Sequence, residues 1–338
     1  MAAWQGDEFG LIARFFRPLA AGTPGALGLT DDAAVFGVGA DEEVVITTDA
    51  LVAGVHFLAD DPADLVARKA LRTNLSDLAA MGAVPLGYTL ALVLPAPVDA
   101  DWLAGLAAGL AADQAEFGIG LLGGDTTSTP GPLTLSITAL GRVQRGRYLS
   151  RGGARPGDDV WVSGPIGDAW LGLQILQGRM DAVDEAARTE LVGRYRLPVP
   201  RLALGRRLVG VATAALDVSD GLVADLGHLC DVSRLDATIA LDRVPQSAAA
   251  RRQVRNDQRL ALSLLAGGDD YELVFTAPPE AAQAVTAIAG ELGLAASRIG
   301  QTAGVADGQP RVRVIDAAGR PLEAGDGGWQ HFGNGRRE

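Results

Sequence analysis

The chain has 338 residues, 48% of them apolar, and a formal net charge of −12. This length suffices for two ordinary domains, and the apolar fraction allows a large buried core. The acidic balance argues against nucleic-acid binding, which requires a basic face. It is compatible with an anionic substrate only if metal ions neutralise the site.

The first half of the chain alternates predicted strands and helices. A helix is predicted to begin at Pro62, with Asp61 as its N-cap. Its apolar residues recur at i, i+4 and i+7, a stripe that faces a core, and Asp77 lies off this stripe. The other predicted elements of this half are strands at 44–48, 87–94, 119–122 and 133–143 and a helix at 101–117.

A segment rich in glycine and arginine, residues 144–158, predicts a crossing between domains. A second series of strands and helices follows it, and the tail from residue 299 predicts short strands joined by glycine turns. The mixed order in both halves predicts two domains of the α/β or α+β class, at 1–147 and 148–338. The predicted strands of the second half are 159–163, 215–218, 237–241 and 273–276, and its predicted helices are 167–176, 188–195, 201–209, 222–231 and 280–292.

Two residue counts exclude further classes of protein. Lys69 is the only lysine and lies in a predicted helix, so neither a P-loop nor the strand lysine of a protein kinase is available. Cys230 is the only cysteine, which excludes an intrachain disulfide and a thiolate metal cluster. No signal pattern and no apolar run approaching the ~18 residues of a membrane span are found. We therefore expect a reduced, cytoplasmic location.

Acidic turns recur along the chain, and most of them follow a short apolar run. Several carboxylates brought together at the ends of strands repel one another unless cations lie between them. A single Asp of this kind is commonly a helix cap or an Asx-turn, but their number in one chain favours a site for several Mg²⁺ ions, which usually handles phosphates. The turns carry Asp32, Asp49, Asp77, Asp125, Asp217, Asp220, Asp269 and Asp270.

Hydroxyl residues and glycines accompany these carboxylates. Thr47 and Thr48 precede Asp49 and offer hydroxyl or carbonyl oxygens to a metal. Ser219 lies between two of the Asp residues, where it offers a metal ligand or a contact to phosphate. Gly124 has no side chain, so its peptide can approach a phosphate closely.

Three further residues have both a functional and a structural interpretation. Arg151, in the predicted interdomain segment, is either a phosphate ligand or a solvated charge. His56 follows the Thr-Thr-Asp segment closely, although a lone histidine is commonly structural. Trp329 either stacks on an aromatic substrate or anchors the tail.

The ordered set of motifs resembles that of the bacterial thiamine-monophosphate kinases, in the superfamily that also contains aminoimidazole-ribotide synthetase and selenophosphate synthetase. The match spans nearly the whole chain, and the motifs are specific together although none is specific alone. The Asp-rich motifs are shared across the superfamily, whereas the segment from Thr48 to Phe57, the Tyr271-Glu272 pair and the terminal Trp-x-His-Phe point to the thiamine kinases. The matching segments are Gly6-Asp-Glu-Phe-Gly-Leu-Ile, Thr30-Asp-Asp-Ala-Ala, Thr47-Thr-Asp-Ala-Leu-Val-Ala-Gly-Val-His-Phe, Lys69-Ala-Leu-Arg-Thr-Asn-Leu-Ser-Asp-Leu-Ala-Ala-Met-Gly-Ala, Gly123-Gly-Asp-Thr-Thr, Arg151-Gly-Gly-Ala-Arg-Pro-Gly-Asp, Asp217-Val-Ser-Asp-Gly-Leu and Gly267-Gly-Asp-Asp-Tyr-Glu-Leu.

The resemblance implies a two-domain α+β protein of the aminoimidazole-ribotide-synthetase-like fold. Its N-terminal domains would pair through their sheets in a homodimer, and its C-terminal domain would complete the ATP and substrate site. The implied reaction is direct in-line transfer of the ATP γ-phosphoryl group to thiamine monophosphate, the last step of thiamine diphosphate biosynthesis. Several Mg²⁺ ions would assist it, and no residue would act as a general acid or base.

The resemblance also implies roles for individual residues. One departure matters, because the family often has Glu where Asp269 stands. The neighbouring Asp31 and Asp270 are expected to hold their turns in shape. Mg²⁺ is implied on Asp32, Thr47, Thr48, Asp49, Asp77, Asp125, Asp217 and Asp220, with Asp32, Asp77 and Asp217 closest to the transfer; ATP is implied on Gly124, Asp125, Arg151 and Ser219, and the substrate on His56, Asp269 and Trp329.

Two alternatives stay open. The first is another ATP-dependent synthetase of the same superfamily. A selenophosphate synthetase would require a reactive cysteine near the N-terminus, and a ribotide synthetase fits the contexts of His56 and Trp329 poorly. The second is a non-enzymatic acidic metal-binding protein, which the absence of calcium-loop spacing disfavours.

Overall fold

The structure is a computed structural model that describes residues 8–31, 33–255 and 257–323. The chain divides into two compact units. The N-terminal unit comprises Met1–Leu78 and Ala83–Gly146, and the C-terminal unit comprises Ala79–Gly82 and Arg147–Glu338. Among the described residues, no helix has the length and apolar character needed to cross a bilayer.

The N-terminal unit combines a four-stranded sheet with two long helices, as far as it is described. The sheet order is β1-β4-β2-β3, antiparallel except for the parallel pair β2 and β3. In chain order the elements are α1 (Glu8–Leu11), α2 (Arg17–Ala20), β1 (Glu42–Val52), α3 (Ala63–Ala80, ending in the C-terminal unit), β2 (Val84–Pro95), α4 (Ala100–Phe117), β3 (Gly120–Thr129) and β4 (Thr134–Gln144).

The two long helices of this unit are held together by a buried ion pair. Arg72 of α3 donates to both carboxylate oxygens of Asp113 of α4, each at 2.8 Å, and both side chains are buried. Gly109 lets the helices approach closely, because a Cβ atom there would lie 2.3 Å from the carbonyl oxygen of Asp64. These contacts fix the position of α3, which carries part of the candidate site.

Strand β1 lies at the edge of its sheet and alternates in burial. Leu51 is buried, while Val44 and Ile46 are exposed, Ile46 to 64%. The odd-numbered residues therefore share the face on which α3 lies, since Thr47 contacts α3 through Asp77. The even-numbered residues lie on the opposite face.

The C-terminal unit contains a seven-stranded mixed sheet, in the order β11-β10-β7-β9-β5-β8-β6. Within the described part of this sheet, β10 and β7 are the one parallel pair. Its elements are β5 (Asp159–Val162), α5 (Asp168–Leu176), α6 (Glu185–Arg196), α7 (Leu202–Leu208), β6 (Ala214–Asp217), α8 (Leu222–Ser233), β7 (Leu235–Ala240), α9 (Ala248–Val254), α10 (Gln258–Ala266), β8 (Leu273–Ala277), α11 (Ala282–Glu291), β9 (Ser297–Gly304), β10 (Val312–Ile315) and β11 (Pro321–Leu322).

Strands β5, β6 and β8 are buried on both faces. On one face Val160 packs in a cluster with Leu226 of α8, and on the other Trp161 packs with Leu204 of α7. Helices therefore cover both faces of this part of the sheet, which explains why its strands are apolar throughout rather than alternating.

Helices α9 and α10 were not predicted from the sequence. They have only seven and nine residues, which is too short for a clear periodicity. Their N-caps were the available signals. Ser247 accepts a hydrogen bond from the N–H of Ala250, and the Asp257 carboxylate accepts from the first turn of α10.

Candidate active site

Strand β1 and helix α3 bring three of the predicted metal ligands together. The hydroxyl of Thr47 donates to the carboxylate of Asp77. Burial, and then the charge of Asp77, raise the pKa of Asp49 to about 6 against the opposing effect of a hydrogen bond with Thr73. Two carboxylates and a hydroxyl in mutual reach form an oxygen-only set of donors, the kind that Mg²⁺ prefers.

Thr48 lies on the opposite face of β1 from this cluster. Its hydroxyl donates to the carbonyl of Ile137 at 3.1 Å and accepts from Thr138 at 3.0 Å. Ala53 donates to the carbonyl of Leu133, so in the β1–β4 register the odd-numbered residues exchange backbone hydrogen bonds with β4. The backbone carbonyl of Thr48 therefore faces the open edge of the sheet and is the oxygen that it offers to a metal.

Gly124 and Asp125 lie inside β3 rather than at its end. The sequence predicted a strand that stops at residue 122, but β3 continues to Thr129 alongside β2. A Cβ atom on Gly124 would lie 2.0 Å from the carbonyl oxygen of Leu90, so only glycine fits this sheet. The side chain of Asp125 is exposed, next in the strand to this obligatory glycine.

His56 lies in a tight loop that follows β1. Its Nδ1 atom accepts from the N–H of Val52 at 3.0 Å, so in the neutral ring the proton is on Nε2. The carbonyl of His56 accepts from the Nζ atom of Lys69 at 3.0 Å. The loop is therefore held at both its side chain and its backbone.

In the C-terminal unit, the turn between β6 and α8 carries Asp217, Ser219 and Asp220. The carboxylate of Asp225 accepts hydrogen bonds from the N–H groups of Ser219, Asp220 and Gly221 at 3.0, 3.0 and 3.1 Å. Burial, and then the charge of Asp220, raise the pKa of Asp225 to about 7 despite these bonds. Asp225 fixes the shape of the turn.

Asp225 was not among the site residues predicted from the sequence. The available signal was its place in the first turn of α8, which opens on Gly221, a residue with no side chain to cap the helix. Asp220, Asp225 and His228 offer ligand atoms that lie within 4.8 Å of one another. The oxygens suit Mg²⁺, whereas the histidine nitrogen is more typical of transition metals.

The loop that contains Asp269 is bonded to this turn. The N–H of Asp269 donates to the carbonyl of Ser219, and the N–H of Tyr271 donates to the carbonyl of Val218, both at 2.8 Å. The hydroxyl of Tyr271 donates to Asp269 Oδ1 at 3.2 Å. Asp269 and Tyr271 have φ angles of +69° and +50°, which L-residues seldom adopt and which cluster at functional sites.

Asp270 and Arg151 have different surroundings. The Asp270 carboxylate is buried and accepts from the N–H groups of Gly167 and Ala169 at 2.8 and 3.4 Å, so it caps α5 and holds its own turn, as expected. Burial raises its pKa well above the usual range.

Arg151 is exposed, and its carbonyl accepts from Ser233 at 3.1 Å. The predicted ligands Asp32 and Trp329 lie outside the described residues.

Two family models match most of the chain. The family model for the AIR synthase related protein, N-terminal domain, matches residues 30–143, and the model for the C-terminal domain matches residues 155–313. The fold and the acidic turns thus define a two-domain α+β protein of the AIR synthase related class, as predicted.

Three similar proteins show to which family within this class the chain belongs. A thiamine-monophosphate kinase of Caulobacter vibrioides is 46% identical over 303 residues, covering 89% of this chain and 85% of that protein. The crystal structure of thiamine-monophosphate kinase from Stenotrophomonas maltophilia K279a is 42% identical with a TM-score of 0.82, covering 93% and 98% of the two chains. The structure described as AaThiL complexed with AMPPCP and TMP is 29% identical with a TM-score of 0.76, covering 96% and 97%. The chain belongs to the thiamine-monophosphate kinase family.

Proposed function

We propose that this protein transfers the γ-phosphoryl group of ATP to thiamine monophosphate, which gives thiamine diphosphate and ADP and completes thiamine diphosphate biosynthesis. The observation that carries the proposal is the 46% identity, over 89% of the chain, to a thiamine-monophosphate kinase. A related structure holds AMPPCP and TMP together. The acidic turns described above supply the chemistry that such a reaction requires.

Both reactants are anionic, and this decides what the protein must provide. A phosphate acceptor is already ionised at neutral pH, so no side chain is required to remove a proton. When bound, Mg²⁺ would neutralise phosphate charge at the site. The carboxylates of Asp49 and Asp77 lie close enough to raise the pKa of Asp49, which is the electrostatic condition that a bound cation relieves.

The proposed ligands follow from these surroundings. In the N-terminal unit, the metal ligands have carboxylate, hydroxyl and carbonyl oxygens. In the C-terminal unit, the Asp225 carboxylate holds the turn from Ser219 to Gly221 in one shape, and Asp269 is bonded to that turn. We assign Mg²⁺ to Asp32, Thr47, Thr48, Asp49, Asp77, Asp125, Asp217 and Asp220, ATP to Gly124, Asp125, Arg151 and Ser219, and thiamine monophosphate to His56, Asp269 and Trp329.

The proposed assembly is a cytoplasmic homodimer that pairs through the N-terminal sheets. Strand β1 has eleven residues and, within the described sheet, pairs only with β4. A long edge strand with exposed apolar side chains such as Val44 and Ile46 is a ready surface for a second chain. Sedimentation velocity on the wild type and on Ile46→Lys tests this, and we expect the variant to be monomeric.

The proposed reaction is tested by ADP release from ATP and Mg²⁺, with and without thiamine monophosphate. We expect release only when thiamine monophosphate is present, together with formation of thiamine diphosphate. The paired measurement uses aminoimidazole-ribotide precursors and selenide as acceptors. Stimulation by those acceptors alone would replace this assignment with another synthetase of the superfamily.

A further inference from the structure

Lys69 is the only lysine in the sequence. Arginine supplies 28 of its 29 basic residues, so the one position that keeps lysine stands apart. Lys69 is also buried, with 2% of its surface exposed. A buried ammonium group is costly unless its hydrogen bonds are satisfied. A lysine at this buried position therefore needs hydrogen-bond partners for its ammonium group.

One contact of this ammonium group is with the His56 loop. Nζ of Lys69 donates to the carbonyl oxygen of His56 at 3.0 Å. The same loop is closed by the N–H of His56 on the carbonyl of Val52 at 3.0 Å and by the N–H of Gly54 on the carbonyl of Phe57 at 2.8 Å. Gly54 has a φ of +80°, and Phe57 is buried. The backbone of the loop is therefore fixed by several hydrogen bonds, one of which joins it to the ammonium group of Lys69.

The side chain of His56 is fixed by a separate contact. The N–H of Val52 donates to Nδ1 at 3.0 Å, which leaves Nε2 as the ring's donor. This bond depends on the position of the His56 backbone, because Val52 and His56 are also joined through the main chain. Moving the His56 carbonyl would therefore move the donor as well.

We propose that Lys69 is a positioning residue of the substrate site, which holds His56 so that its Nε2–H donates to an acceptor on thiamine monophosphate. The proposal rests on the proposed function. Lysine suits this role because its ammonium is compact, whereas a planar guanidinium needs more room and a fixed fork of partners. Lys69, Thr73 and Asp77 are spaced i, i+4 and i+8, so they share one face of α3. One helix face thus supports both the His56 loop and the acidic cluster.

The kinetic test compares Lys69→Met and Lys69→Arg with the wild type. We expect both variants to raise the KM for thiamine monophosphate about tenfold and to change the KM for ATP and kcat less than about threefold, because ground-state substrate binding is what the loop supplies. The arginine variant keeps the charge, so its failure would show that geometry is required. Full activity of Lys69→Arg would overturn the requirement for lysine.

The His56→Ala background separates positioning from stability. If Lys69 acts through His56, adding Lys69→Met to His56→Ala changes the KM for thiamine monophosphate less than about twofold. The same fold-change in both backgrounds, or an equal rise in the KM for both substrates, would overturn the proposal.

A measurement on the wild type tests the orientation of His56, which the proposal requires, even if the variants do not fold. The chain has three histidines, so ring ¹⁵N spectra are simple, and His56→Gln assigns the signal. We expect His56 to be the Nε2–H tautomer, and an Nδ1–H tautomer would overturn the proposal. If the wild type does not turn over thiamine monophosphate, it is the proposed function that fails, and the spectrum still tests the geometry.

Discussion

The paired carboxylates of Asp49 and Asp77 give the most direct test at the scale of single residues. Asp77→Asn removes a charge beside Asp49 and replaces one of the two carboxylate oxygens with an amide NH₂ group, which weakens the proposed metal site. We expect kcat/KM to fall at least ~100-fold with circular dichroism and Tm nearly unchanged. Asp60→Asn, at an exposed turn of the same unit, is the control and should have no effect. Near-normal turnover at saturating Mg²⁺ would contradict the metal assignment.

A second residue-scale prediction concerns Tyr271, whose hydroxyl orients Asp269. Tyr271→Phe keeps the ring and removes the hydroxyl that makes this hydrogen bond. We expect the KM for thiamine monophosphate to rise roughly 3- to 10-fold, in line with the loss of one hydrogen bond, while the KM for ATP is unchanged. Tyr148→Phe, at a tyrosine that is 51% exposed, is the matched control. An unchanged KM in Tyr271→Phe would remove Tyr271 from the substrate site.

Sequence motifs indicated most of these residues, Tyr271 among them, but not the contacts through which some of them support the others. Asp49, Asp77 and Asp269 stand in short motifs that can be read directly. Asp225 and Tyr271 act through contacts formed only in the folded chain. The backbone hydrogen bond from Tyr271 to Val218 joins residues more than fifty positions apart, so it cannot be predicted from either local sequence.

At the scale of elements, β3 provides a matched pair of glycines. A Cβ atom on Gly124 would meet the carbonyl oxygen of Leu90 at 2.0 Å, whereas one on Gly123 would meet nothing within 4 Å. We expect Gly124→Ala to destabilise the protein by roughly 1–3 kcal/mol and Gly123→Ala by much less. Urea unfolding of both variants measures the difference. Equal effects would mean that the pairing of β2 and β3 adapts to the added methyl group.

The same strand shows why predicted element ends were the weakest part of the sequence analysis. Gly and Asp are rare in strands, so the predicted strands ended before Asp49 and before Gly123. In the structure β1 continues to Val52 and β3 to Thr129, because the long partner strands β4 and β2 lie beside them. Tertiary pairing outweighed local preference, and it placed Asp49 and Asp125 within the sheet.

For the whole molecule, four carboxyl groups with a raised pKa, Asp270 among them, predict a distinctive pH dependence. Burial raises the pKa of Asp49 and Asp168 to about 6 and that of Asp225 to about 7, from 3.8. The folded chain therefore binds more protons than the unfolded chain between about pH 4 and 7, so its stability falls as pH rises through that window. In EDTA, we expect the free energy of unfolding to be lower at pH 8 than at pH 5, by on the order of 3 kcal/mol.

Adding Mg²⁺ and substituting Asp168 separate the contributions of the individual carboxyl groups to this pH dependence. Mg²⁺ at pH 8 should restore stability, because it compensates the charge of Asp49 and its neighbours. Asp168→Asn should make the pH slope shallower both with and without Mg²⁺, since Asp168 lies at the start of α5, where Ser247 donates to it. A slope unaffected by Asp168→Asn would assign the pH dependence to other groups.

Because Lys69 is buried, its accessibility can be used to measure local unfolding of α3. A protease that cuts only after lysine has a single possible cleavage site in the whole chain, in the middle of α3. The native helix should resist it, and each cut should yield just two fragments, 1–69 and 70–338, at a rate that reports the opening of α3. Amine-reactive dyes should likewise spare Lys69 until that helix unravels. The chain thus contains its own reporter of local unfolding, at the centre of the site proposed to bind its substrate.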